Sequence, residues 1–253
     1  MSIYRSKISV FNYDSIPAGY YYNVMKSGSS IQRFWHEKRF QEIIDRIEDG
    51  LKVLDFGCGP GTFLSLLGGL RSNVTATGVD IGSKQIEFAR ELIHQQALND
   101  RIQFSIIEEA FKELPFEDKS FDIIASIEVV EHIHPFFAHR ILTEAKRVLK
   151  PKGKLLITTP NYRSHWPLIE LLLNRLSPVK YHEQHISKFT PQAFVKFIES
   201  AGFEIKTINT IFVVAPFLTP LSFRLAELFH QSERKMESLV GALLVVEAAP
   251  HIF

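Results

Sequence analysis

The chain predicts a doubly wound α/β fold, a mostly parallel sheet with helices on both faces, and three observations carry that reading. From Leu51 onward, short β-branched or apolar runs alternate with helical stretches. Val53-Leu54-Asp55-Phe56 then enters Gly57-Cys58-Gly59-Pro60-Gly61-Thr62, a strand-to-helix turn that holds little but glycine. A second β-branched run, Val74 to Val79, ends in the carboxylate Asp80, about twenty residues further on. Alternation of this kind marks βαβ units, whose crossover helices cover both faces of a parallel sheet.

Residues 1 to about 30 lack periodicity but carry Tyr4, Phe11, Tyr13 and Tyr20-Tyr21-Tyr22, which we read as an N-terminal aromatic flap. Ile31 to Ile47 has helical spacing. Ile31, Phe34, Trp35, Phe40, Ile43, Ile44 and Ile47 favour one side, with Glu37, Lys38, Gln41, Glu42 and Asp45 on the other. In the glycine turn, Gly57 and Gly59 let backbone amides approach a ligand, and Gly61 lets the next helix start close to the sheet. The spacing is G-x-G-x-G after an acid. A dinucleotide pattern would want its third glycine where Thr62 stands. Ser83 reads as the N-cap of a helix from Lys84 to His94, which places Asp80 in a loop beside the first one. The two loops form a crevice in which Asp80 can accept both hydroxyls of a ribose.

Two segments exceed the minimal alternation. Asn161 to Gln184 contains an apolar helix-like piece, Trp166 to Leu176, whose Pro167 suits a first helical turn. Ile211 to Phe229 is dense in apolar and proline residues, among them Phe212, Val213, Val214, Pro216, Phe217 and Leu218, that need a partner surface. It reads as an inserted helix packed on the sheet, or as a lid over an apolar acceptor or a surface that meets lipid.

Composition is that of an ordinary globular chain: 253 residues, 45% hydrophobic and 23% charged. We read 1–253 as a single domain: 1–50 the flap and first helix, 51–160 the cofactor-binding core, and 161–253 the acceptor-side half. With 29 basic and 28 acidic residues, the net charge of +1 supplies no field that favours a nucleic-acid partner. One cysteine excludes an internal disulfide framework, and Cys58 fills a slot that needs a small residue. No signal-like segment opens the chain and no apolar run reaches the roughly 18 residues of a membrane span, so cytoplasmic residence is the default expectation.

The acid followed by G-x-G-x-G resembles motif I of the class I S-adenosylmethionine-dependent methyltransferases, and the likeness continues from about Arg39 to Glu247. Ile102 to Ile107 matches their third strand. Leu114 to Asp122 resembles the family's "LPF-x-D-x-SFD" entry to strand four, and Ile123 to Ser126 is that strand. Leu149-Lys150-Pro151-Lys152-Gly153-Lys154 resembles the turn before strand five, Leu155 to Thr159, and Phe189-Thr190-Pro191 opens a helix that stops at Ala201-Gly202-Phe203. The resemblance implies a Rossmann-like sheet of seven strands and S-adenosylmethionine as cofactor. It implies contacts from Asp55, Gly57, Cys58, Gly59, Gly61, Asp80, Ile81 and Ser126. An acid beside the adenine is also implied, for which Glu108 and Glu109 are candidates and Glu109 is our choice.

Methyl transfer to a hydroxyl needs a base near physiological pKa, and histidine is the usual one. Of ten histidines, His132 after strand four and His185 before the Phe189 helix face the open end of the expected sheet. Glu128, Glu131 and His132 stand at i, i+3 and i+4, one face of a helical turn, and such groups suit a hard divalent ion. The arrangement resembles the ubiquinone-biosynthesis O-methyltransferase branch, with its E-x-x-E-H turn and later H-x-x-x-F; Arg39 then takes the place of an arginine that approaches the methionine carboxylate. It also resembles the small-RNA terminal 2'-hydroxyl methyltransferases, in which two Glu and two His hold a metal. Here Ile186-Ser187-Lys188 replaces their aromatic-acid signature and no basic stripe is present. We therefore expect O-methylation of a small or lipid-like molecule, with His132, His185 and Glu131 catalytic. If a divalent metal takes part, Glu128, Glu131, His132 and His185 are its ligands. Peripheral membrane contact is an expectation for the apolar insertions. RNA ribose methylation and a non-catalytic cofactor-binding module are the alternatives.

Overall fold

The computed structural model describes residues 16–107, 113–176, 184–235 and 239–251. Helix α1 (Tyr20–Ser27) and helix α2 (Ser30–Ile44) precede strand β1 (Lys52–Phe56). Then come α3 (Thr62–Leu70), β2 (Thr75–Asp80), α4 (Ser83–Gln95), β3 (Ile102–Ile106), β4 (Phe121–Ile127), a single 3₁₀ turn (Val130–His132), α5 (Pro135–Val148) and β5 (Leu149–Pro160). The second half adds α6 (Trp166–Leu176), α7 (Pro191–Ser200), β6 (Phe203–Ile211), a 3₁₀ turn (Ala215–Leu218), α8 (Phe223–Lys235) and β7 (Leu243–Pro250).

The seven strands form one sheet in the order β3-β2-β1-β4-β5-β7-β6, with β7 antiparallel to both neighbours and the remaining pairs parallel. Adjacent residues of one strand enter opposite cores. Val53, Ile123 and Leu156 join Phe34, Phe63, Leu64 and Ile86 from α2, α3 and α4. Leu54, Ile124 and Leu155 join Ile141, Leu142, Phe194 and Ile198 from α5 and α7. Burial on both sides explains why these strands read as continuous apolar runs. The chain order reverses between β1 and β4, and the crevice beyond their carboxyl ends is where ligands bind in such sheets.

Helix ends follow local chemistry. Ser29 Oγ accepts the Gln32 N–H at 3.3 Å while the Gln32 side chain accepts the Ser29 N–H at 3.1 Å, a reciprocal cap for α2. Thr190 Oγ1 caps α7 through the Ala193 N–H, with Pro191 at its first position, as the sequence reading expects.

Four details depart from that reading. Ser83 is the first residue of α4 rather than its cap, because Gly82 precedes the helix and its carbonyl accepts from Gln85 and Ile86. Leu149 to Lys154 belongs to β5 instead of forming a turn. Its register with β4 jumps from Phe121–Leu149 to Ile123–Lys154, so the extra residues are taken up as an irregularity within the pair. Glu42, expected on the solvent side of α2, is buried and pairs with Arg46 and with Arg234 of α8. Finally, Ile211 to Phe229 is not one helix: it is the end of β6, a 3₁₀ turn and the start of α8. Phe212, Ala215 and Ala226 are buried there, while Leu221, Phe223, Leu228 and Phe229 are exposed. Among the described residues no helix is long and apolar enough to cross a membrane.

Candidate active site

Backbone geometry builds one wall of the site. Gly57 has φ 76°, and a Cβ there would lie 2.5 Å from Val129 Cγ2, so no larger residue fits. Its N–H and that of Cys58 both donate to Val79 O, at 2.8 and 3.1 Å, which ties the glycine turn to the end of β2. Asp80 joins the two loops: Oδ2 accepts the Gly59 N–H and Oδ1 the Gly82 N–H, each at 2.8 Å. Each carboxylate oxygen keeps a second lone pair for a ligand. A Cβ at Gly59 would meet nothing within 4 Å, so open space lies beside its Cα.

Behind this wall Asp55 is buried, and its Oδ2 has no hydrogen-bond partner among the described residues. Burial, and then the nearby Asp80, push its carboxyl up to about 8. Burial also raises the Cys58 thiol well above its ordinary range, which suits a packing role and not a nucleophile.

Side chains build the opposite wall. Glu128 has φ 55° and sits outside the following 3₁₀ turn, so Glu128, Glu131 and His132 do not share an α-helical face. The left-handed backbone directs Glu128 to an ion pair with Arg39 of α2. Glu131, Glu128's expected companion, is fully buried, and its carboxylate accepts the Thr159 hydroxyl at 3.1 Å. Burial pushes it up to about 8. The Glu131 carbonyl accepts the N–H groups of Ile186 and Ser187 at 2.8 and 2.9 Å, which holds the loop that carries His185.

His132 and His185 converge, with ring centroids 5.0 Å apart. His132 Nδ1 lies 3.1 Å from Gln184 O, and burial, then the neighbouring His185, drop its pKa to about 3. Glu131, His132 and His185 each offer a ligand atom within 4.8 Å of the others. Glu128 is not in that group, which corrects the expected set of four.

Between the walls lies a cavity of about 380 Å³. Of the expected residues, Arg39, Asp55, Gly57, Cys58, Gly59, Asp80 and Ile81 line it, as do Glu128, Glu131, His132 and His185. Gly61 does not; it serves the close approach of α3 to the sheet, where a Cβ would lie 2.8 Å from Ala89 and Phe104. Ser126 does not either. Strand alternation puts it with Ile124 and away from Ile127, and it is buried with no partner for its hydroxyl among the described residues. Glu109 lies outside the described residues.

Three groups escaped the sequence reading. Trp35 of α2 and Trp166 of α6 line the cavity with centroids 5.6 Å apart, beside Ile169 and Phe217 of the two apolar segments expected at an acceptor. Gln85 of α4 holds the chain ahead of α1 over the cavity: its Oε1 accepts the Gly19 N–H at 3.2 Å and its Nε2 donates to Ile16 O at 3.2 Å. Glu170 and Tyr162 contact His185 from α6 and the turn before it. Their separation in sequence hides all three, since no local pattern links α2 to α6 or Gly19 to Gln85.

A sequence profile of a family described as a methyltransferase domain matches residues 29–208. The chain is 32% identical over 123 residues to methyltransferase GfsG of Streptomyces halstedii, covering 48% of this chain and 42% of that protein. It is 31% identical over 166 residues to a ubiquinone biosynthesis O-methyltransferase of Glaesserella parasuis serovar 5 (strain SH0165), covering 63% and 67%. For GfsG and two further curated relatives the chain spans 42%, 37% and 32% of their length. Among solved structures, the PH0226 protein from Pyrococcus horikoshii OT3 superposes with a TM-score of 0.62 at 21% identity, covering 89% of this chain and 93% of that one. Geranyl diphosphate C-methyltransferase from Streptomyces coelicolor A3(2), solved with Mg2+, geranyl diphosphate and S-adenosyl-L-homocysteine, gives 0.61 at 16% identity, covering 93% and 84%. At such identities the likeness concerns the fold.

Proposed function

The chain belongs to the class I S-adenosylmethionine-dependent methyltransferase family, and from that premise we propose that it methylates an oxygen of a small apolar or lipid-like molecule. The observation that carries this reading is the meeting of His132 and His185 inside an apolar cavity whose other wall is the glycine turn and Asp80. The wall fits S-adenosylmethionine: Asp80 has lone pairs for the ribose hydroxyls, space lies beside Gly59, and the partnerless Asp55 oxygen is buried behind. Arg39, paired with Glu128, lines the same cavity and is the residue we assign to the methionine carboxylate. Cys58 and Ile81 complete the cofactor side. Glu109 keeps its proposed place beside the adenine, and the whole of 1–253 acts as one domain.

When bound, the cofactor supplies a methyl group on a positively charged sulfur, already activated for transfer. The chain's own task is to hold the acceptor oxygen in line and to take its proton. Proximity and orientation are worth about 7–11 kcal/mol in favourable cases. Trp35, Trp166, Ile169 and Phe217 exclude water and receive an apolar body. His185 takes the proton, because burial holds His132 near 3, too weak a base at neutral pH. His132 borders the acceptor, and Glu131 holds the His185 loop through its carbonyl.

The clustering of Glu131, His132 and His185 favours a second reading, in which these three hold a divalent ion that lowers the pKa of the acceptor hydroxyl. Assays of the purified chain with S-adenosylmethionine against quinone precursors, fatty acids, sugars and RNA, read by mass spectrometry, test both. A single methyl added to an apolar hydroxyl or carboxyl acceptor, with activity indifferent to chelator, is the expected result. Loss on chelation with rescue by a divalent ion selects the metal version, and methylation of RNA alone overturns the acceptor class.

A further inference from the structure

We propose that Glu170, braced by Tyr162, is a positioning residue that fixes the orientation and tautomer of His185, with the ring proton on Nδ1 and Nε2 as the basic atom. The inference rests on the reading of His185 as the group that serves the acceptor. Three segments meet to make the arrangement: Glu170 from α6, Tyr162 from the turn after β5, and His185 from the loop before α7. Glu170 Oε1 lies 3.0 Å from His185 Nδ1. The Tyr162 hydroxyl lies 3.1 and 3.0 Å from the two Glu170 oxygens and 2.9 Å from the same Nδ1.

Donor and acceptor roles follow from what each group can do. A carboxylate only accepts and a tyrosine hydroxyl has one proton to give, so Tyr162 donates to Glu170 and the Nδ1–H completes the set. Glu170 is buried, at only 5% exposure, with its two oxygens facing the Tyr162 hydroxyl and the His185 ring.

Such a buried carboxylate is a poor way to gain stability, because an apolar residue of the same volume packs as well or better. Its chemical consequence is specific. When the acceptor O–H bond breaks and an N–H bond forms at Nε2, the ring becomes an imidazolium whose charge faces Glu170; water takes the proton after the product leaves. The ring is also confined laterally, with Trp166 at 6.1 Å and His132 at 5.0 Å between centroids. A histidine held through one nitrogen by a carboxylate presents the other in a fixed direction, and loss of such a partner typically costs 10- to 100-fold in function, on the order of magnitude expected here.

The test is histidine ¹⁵N NMR on the full chain, with the His185 signal assigned by its loss in His185→Asn, combined with kinetics. Wild type is expected to show His185 as the Nδ1–H tautomer. Glu170→Gln removes the charge that faces the imidazolium and can turn either its carbonyl or its N–H toward Nδ1, so it should weaken the tautomer preference and lower kcat roughly 10- to 100-fold with the KM for S-adenosylmethionine unchanged. Glu170→Asp should restore part of both. Tyr162→Phe, a milder change, should keep the tautomer and lower kcat by a smaller factor. An Nε2–H tautomer in wild type overturns the proposal, as does a folded Glu170→Gln with tautomer and kcat intact. Should Glu170→Gln not fold, the wild-type tautomer and the Tyr162→Phe kinetics decide. If no acceptor is ever methylated the catalytic reading of His185 falls, whereas the NMR result still judges the positioning.

Discussion

The loops after β1 and β2 meet the cavity with backbone, whereas the loops after β4 and β5 meet it with side chains. On the first side, the turn through Gly57 and Gly59 brings bare backbone to the cavity, and one carboxylate, Asp80, ties the two turns by hydrogen bonds of 2.8 Å. On the second, Arg39–Glu128, Glu131–Thr159 and the Glu170–Tyr162–His185 cluster link side chains from α2, β5, α6 and the loops between them. A backbone wall suits a ligand that is the same in every cycle, since its geometry tolerates little variation. A side-chain wall can be rebuilt residue by residue for another acceptor, which is how one fold hosts many substrates.

The largest expected effect isolates the side-chain wall. His185→Ala should lower kcat by about 10²- to 10⁴-fold, the usual contribution of a general base, while calorimetry gives the same affinity for S-adenosylmethionine as wild type. A large fall in cofactor affinity would mean that the two walls are one site and that His185 serves the cofactor.

Asp80→Ala acts on the other wall. It removes two hydrogen bonds to backbone amides together with the ribose acceptor, so cofactor affinity should fall by roughly 100-fold, about 3 kcal/mol, beside some loss of stability. The acceptor's own binding, measured without cofactor, should stay within about twofold, well below the tenfold that 1.4 kcal/mol represents. Unchanged cofactor affinity in a folded variant would remove Asp80 from the site.

This contrast also explains what the sequence disclosed. The glycine turn and Asp80 are legible because a backbone wall is written locally: G-x-G-x-G needs no distant residue to make its shape. The sheet is legible for the same reason, since βαβ alternation is a short-range pattern. Ser83 was misread as a cap because a backbone turn at Gly82 does the work a side chain usually does. Ser126, expected at the cofactor, stands on the face opposite Ile127 and does not line the cavity, because a motif does not say which face of the strand each residue takes. Glu128 was joined to Glu131 and His132 on helical spacing, which its left-handed backbone breaks. Glu170 and Tyr162 left no signal: a glutamate in an apolar helix and a tyrosine in a turn mean nothing until α6 folds over His185.

The smallest expected effect concerns the charge stored behind the backbone wall. Burial, and then Asp80, raise the Asp55 carboxyl from about 3.8 to about 8. Across that window the folded chain holds a proton that the unfolded chain has released, so Asp55 makes stability fall as pH rises from about 4 and level off above about 8. Asp55→Asn removes this dependence without changing shape. Urea unfolding of the cofactor-free protein should find wild type and variant nearest below pH 4, with the variant's advantage growing as pH rises toward 8. Asp80, raised in the same direction by burial, leaves a residual slope in both proteins, so the difference between the curves belongs to Asp55. The same substitution should weaken cofactor binding, because the buried oxygen without a partner is the atom a ligand would satisfy. If wild type instead gains on the variant as pH rises, Asp55 is held ionised by donors, and the backbone wall depends on a side-chain charge after all.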